Sequence, residues 1–119
     1  MQTSVLIVDD DPGFGRAAAE VLTARGYRVL GQATSVADAL AKCDQLDPDA
    51  VLVDVRLPDG DGVSLAEQLH ARPHAPMVLL TSTDRKAVLP ETLRLSGANG
   101  FVPKTRLADC DMDQFLRRR

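Results

Sequence analysis

Four short stretches hold side chains able to do chemistry. "VLIVDDDPG" runs from an apolar segment straight into Asp9, Asp10 and Asp11; "AVLVDVRLPDGDG" sets Asp54 at the end of a second apolar segment; "VLLTS" ends on Thr81 and Ser82; "GFVPK" ends on Lys104. Carboxylates crowded together raise one another's pKa unless a cation sits among them, so Asp9, Asp10 and Asp54 make sense around a positive charge. Oxygen ligands without His or thiolate suit a hard divalent ion, Mg²⁺ or Mn²⁺, which keeps several waters. Asp11 reads differently: an Asp directly before Pro at the first helical position is a helix N-cap. Asp54 has no such role, because Asp61 is better placed to cap the helix that follows. Thr81 and Lys104, taken singly, read as a strand residue and a surface charge, and they gain interest only from where the fold must bring them.

Each stretch closes a short apolar run, and the runs "SVLIV", "YRVLGQA", "AVLVD", "MVLLT" and "GFVPK" alternate with helix-length segments. Those segments repeat apolar residues at three- and four-residue spacing: Phe14, Ala18, Val21 and Leu22; Val36, Leu40 and Cys43; Leu65 and Leu69. Alternation of strand and helix predicts an α/β fold, a doubly wound (βα)5 flavodoxin-like sandwich whose parallel five-stranded sheet has the order 2-1-3-4-5. "YRVLGQA" is mixed in polarity and belongs at an edge; Pro103 in the fifth run belongs at the other. In such a sheet ligands bind beyond the carboxyl ends of the strands near the switch point, here between the first and third strands. Three carboxylates, a hydroxyl and an ammonium are thereby expected in one cleft.

Residues 1–119 read as one domain, since the chain has one domain's length and neither linker nor low-complexity segment. Hydrophobic residues make up 45%, charged residues 26%, and the net charge is -3. That balance points away from nucleic acid or membrane as a direct partner. Cys43 and Cys110 form no CxxC, and with no leader or membrane-length apolar run the expected location is the cytoplasm. His70 and His74 fall away from the strand ends and read as surface residues. Arg117, Arg118 and Arg119 read as cations complementing the dipole of a fifth helix, "DMDQFLRRR".

The four stretches, in this order and spacing, resemble the receiver domain of two-component response regulators over nearly the whole chain. The resemblance implies that Asp54 is the phosphoacceptor, that Asp9, Asp10, Asp54 and the backbone carbonyl of Arg56 hold Mg²⁺ or Mn²⁺, and that Thr81 and Lys104 bind the phosphoryl oxygens. It also implies a switch in which Thr81 is coupled to the aromatic ring of Phe101. The implied role is a signalling domain rather than an enzyme acting on an external substrate, phosphorylated by a sensor histidine kinase or a phosphotransfer protein. Its output partner is not legible, and a homodimer is compatible with it. Two features depart from the family pattern: the order Pro103-Lys104-Thr105, where relatives carry Lys-Pro, and Pro90, which forces the fourth helix to start late or kink.

Other readings are weaker. A phosphatase of the haloacid dehalogenase type needs a second Asp two residues after the nucleophile, where Arg56 stands. "DGDG" is no calcium loop, because Val63 and Ser64 occupy positions where an EF-hand needs a ligand and a glycine. A receiver-like interaction module working without phosphorylation, and the receiver part of a longer DNA-binding regulator, both stay open.

Overall fold

Every residue of β1 (Ser4–Val8) and β3 (Ala50–Asp54) is buried, as strands covered by helices on both faces must be. In the computed structural model, which describes residues 2–118, these two strands pair in parallel at the centre of the sheet. On one side β1 pairs with β2 (Arg28–Ala33), and on the other β3 pairs with β6 (Met77–Ser82), which pairs with β7 (Gly100–Pro103), all parallel. The order β2-β1-β3-β6-β7 is the expected 2-1-3-4-5 counted over the sheet strands alone, and the fold is the doubly wound flavodoxin-like one. The two extra strands, β4 (Arg56–Leu57) and β5 (Gly60–Asp61), form a small antiparallel hairpin from the "RLPDGD" turn. Both edges fall where composition put them: β2 is mostly half-buried, and Pro103 pairs with Ser82 at the far edge.

Helices cover both faces. α1 (Pro12–Ala24) starts with Asp11 accepting from Gly13 N at 2.9 Å. On its face Val5, Ile7, Leu22, Leu52 and Leu79 pack with Met112 and Leu116. The opposite face buries Leu6, Val51, Val53 and Leu80 under α2 (Val36–Leu46), α3 (Gly62–His70) and α4 (Pro90–Ser96). α3 is capped by Asp61, whose Oδ1 accepts from Ser64 N at 2.8 Å. α2 has a double cap: Ser35 Oγ accepts from Asp38 N, while Asp59 reaches over from the hairpin turn to accept from Val36 N at 2.7 Å and Ala37 N at 3.0 Å. Asp59 thus ties the segment after Asp54 to a second helix.

Pro90 acts as expected, since α4 begins at that residue, in the position where a missing N–H costs nothing. The fifth helix is a correction. Among its described residues only α5 (Asp113–Leu116) is helical, preceded by a 3₁₀ turn over Lys104–Arg106. The Arg25 guanidinium donates to the carbonyls of Ala108 and Cys110, which a longer helix would need for its own ladder. The dipole reading of the arginines falls with it. Arg117 is extended, pairs with Asp113 at 2.7 Å and lies 4.9 Å from the Tyr27 ring centroid; Arg118 donates to Ala75 O. Arg119 lies outside the described residues.

Candidate functional site

The strand ends deliver their polar residues to one cleft. Asp9 follows β1 and is fully buried, Asp10 beside it is exposed, and Asp54 ends β3 with 8% exposure. One carboxylate oxygen from each lies within 4.8 Å of the others. Asp54 stands opposite Thr81 of β6, which is 1% exposed, and Thr81 opposite Val102 of β7. Lys104, one residue past β7, sets its Nζ 2.7 Å from Asp9 Oδ2 and 3.3 Å from Asp54 Oδ2. His70 and His74 are exposed.

The electrostatics follow from burial. Loss of water pushes the Asp9 carboxyl above its ordinary range, and the Asp54 charge adds to that, against the pull of Lys104 and of the Asp11 N–H, which donates to Oδ1 at 2.8 Å. Burial alone would lower the Lys104 ammonium; Asp9 and Asp54 together outweigh it and hold it above its usual value. One ammonium therefore serves two carboxylates, with a third beside them. Thr81 Oγ1 is buried with no hydrogen-bond partner among the described residues, and Asp9 Oδ2, equally buried, meets the Lys104 ammonium at 2.7 Å. Three carboxylates around one ammonium, with an unpartnered buried hydroxyl on the neighbouring strand, are a set that a hard cation and an oxyanion would complete. The donor set fits Mg²⁺ or Mn²⁺.

The remaining sequence candidates fall close by or apart. Arg56 N lies 3.4 Å from Asp54 Oδ1, so its main chain adjoins the acid, and Val55 N donates to Thr81 O at 2.9 Å. Phe101 stands apart from the acids: it pairs with Leu80 and packs half-buried against the core under α2, α3 and α4. Sequence reasoning missed Phe14. Its spacing marked it as a core residue of α1, yet its ring centroid lies 4.3 Å from Lys104 Nζ, a contact between segments ninety residues apart that no local pattern signals.

With this geometry in place, the comparisons define the class. Residues 5–114 match the response regulator receiver domain, and the chain belongs to that family of two-component signalling domains. It is 30% identical over 105 residues to the chemotaxis protein CheY of Thermotoga maritima, covering 87% of each chain. It is 40% identical over 103 residues to the DNA-binding transcriptional activator DevR/DosR of Mycobacterium tuberculosis, covering 84% of this chain and 46% of the relative. Against several such regulators, including KdpE of the same organism at 49%, the chain spans about half the relative's length. Among solved structures, the signal receiver domain of the response regulator NarL from Mycobacterium tuberculosis superposes with a TM-score of 0.81 at 30% identity, covering 94% of each chain.

Proposed function

We propose that the protein accepts a phosphoryl group on Asp54 from a sensor histidine kinase or a phosphotransfer protein, in a reaction that needs Mg²⁺ or Mn²⁺, and that this switches its output surface. The observation that carries the reading is the placement of Asp54: a nearly buried carboxylate at the end of a central strand, with Lys104 Nζ at 3.3 Å and the Asp9 and Asp10 oxygens within 4.8 Å. A carboxylate nucleophile has no proton to give up, so its attack on phosphorus needs no general base. The Asp54 oxygen forms the new bond to phosphorus as the bond to the donor's imidazole nitrogen breaks, and the electron pair stays on that nitrogen. Asp9, Asp10, Asp54 and the Arg56 carbonyl would hold the divalent ion, which supplies charge neutralisation to the transferring group. Lys104 and the Thr81 hydroxyl would receive the phosphoryl oxygens, the ammonium being already drawn to the Asp54 carboxylate.

The test is labelling with acetyl phosphate in Mg²⁺. Wild type should be modified once, and Asp54→Asn not at all. Full labelling of that variant would move the acceptor to another residue; an unlabelled wild type that still bound partners would favour an interaction module.

A further inference from the structure

β2 slips by one residue midway along its length. Val5 pairs with Val29, but Leu6 pairs with Gly31 and Ile7 with Gln32, so Leu30 is the extra residue of a bulge. Gly31 takes a φ of 152° there, backbone that a side chain would resist. Bulges re-aim side chains, and this one decides where Gln32 points. Without the slip Gln32 would stand opposite Val8, on the face under α2 and α3; with it Gln32 stands opposite Ile7, on the face under α1.

From that position Gln32 reaches the acidic loop. Its Nε2 donates to the main-chain carbonyls of Asp9 at 2.8 Å and of Asp11 at 3.2 Å. Both neighbours are acceptors, which fixes the amide end that faces them. Lys42 Nζ, paired with Asp38 at 3.1 Å, donates to the main-chain carbonyl of Gln32 at 2.8 Å and so steadies its backbone. Gly15 leaves the space: a Cβ at that position would lie 2.0 Å from Gln32 Oε1.

We propose that Gln32 is a positioning residue for the cation site. Its amide clamps the carbonyls on either side of Asp10 and so holds the Asp9–Asp10 pair facing Asp54. The inference rests on the reading of those acids as a cation site. Groups that orient ligands in this way are worth about ten- to a hundredfold in metal affinity.

The test is Mg²⁺ titration of the full chain followed by amide shifts, on wild type, Gln32→Ala, Gly15→Ala and the double variant, each with its metal-free urea midpoint. Gln32→Ala and Gly15→Ala should each bind Mg²⁺ about ten- to a hundredfold more weakly while remaining folded without metal. The double variant should bind no more weakly than Gln32→Ala, because a Cβ at position 15 has nothing left to displace. Gln32→Met keeps the volume without the donors, and should show the same weakening where the alanine variant unfolds. Wild-type affinity in Gln32→Ala and Gln32→Met, with only the metal-free midpoint lowered, overturns the inference and leaves the cation reading standing. Multiplying effects of the two single variants overturn it as well. A wild type that takes up no Mg²⁺ removes both.

Discussion

Lys104 is held from two sides: by Asp9 at 2.7 Å and Asp54 at 3.3 Å on one, and by the Phe14 ring at 4.3 Å on the other. A cation over an aromatic face is worth about 0.5–1 kcal/mol when exposed and about 2 kcal/mol when desolvated. Phe14→Leu keeps apolar bulk and removes the electron-rich face. Losing about 1 kcal/mol of positioning should slow labelling by acetyl phosphate roughly fivefold; an unchanged rate would reduce the ring to packing. The Thr81 hydroxyl raises a second point, because it is buried with no partner among the described residues. An unpaired buried hydroxyl costs about 1–3 kcal/mol. Thr81→Val, which fills the same space, should therefore raise the stability of the unphosphorylated protein by about 1 kcal/mol in urea unfolding. In the same variant the amide shifts that beryllofluoride produces around Phe101 should shrink. Full-sized shifts would remove Thr81 from the switch.

At the scale of the elements, Tyr27 fastens α5 to the end of α1. Its ring is 1% exposed, its hydroxyl donates to Asp113, and Arg117 lies over its face. Burial first, and then the Asp113 carboxylate, push the phenol up to about 12 from 10. A group whose folded pKa is raised adds stability that is complete below its unfolded value and disappears as pH rises through the folded one. The contribution should be full up to about pH 10 and fade toward pH 12. The difference in urea midpoint between wild type and Tyr27→Phe should shrink over that window; a constant difference would mean that the hydroxyl does not titrate there. This clamp also marks the limit of what the sequence discloses. The sheet order was legible because β1, β3 and β6 are apolar on both faces and Pro103 suits an edge, and the strand-end rule then gathered Asp9, Asp10, Asp54, Thr81 and Lys104. The short α5 was not legible, because Arg25 takes carbonyls more than eighty residues further on. Nor was the aim of Gln32, since a one-residue bulge reverses which face a strand residue meets. Asp59 was hidden in "LPDGDG" as an ordinary turn residue, although it caps α2.

For the whole molecule, the acidic cleft is where a bound divalent ion would change stability. Without a divalent ion, one ammonium faces Asp9 and Asp54, with the exposed Asp10 carboxylate beside them, and the three carboxylates repel one another. A divalent ion that binds only the folded state adds about 2.7 kcal/mol at a hundred times its dissociation constant. For a chain of this length, at about 4 °C per kcal/mol, that is a rise in melting temperature of about 10 °C. Asp10→Ala separates the two halves of the effect. It removes one repelling charge, so the metal-free variant should melt higher than metal-free wild type, and it removes one ligand, so added Mg²⁺ should no longer raise the midpoint. The two proteins should therefore exchange rank as Mg²⁺ is added. A variant that responds to Mg²⁺ as wild type does would place the ion elsewhere, and one that melts lower without metal would show that Asp10 stabilises the loop rather than straining it.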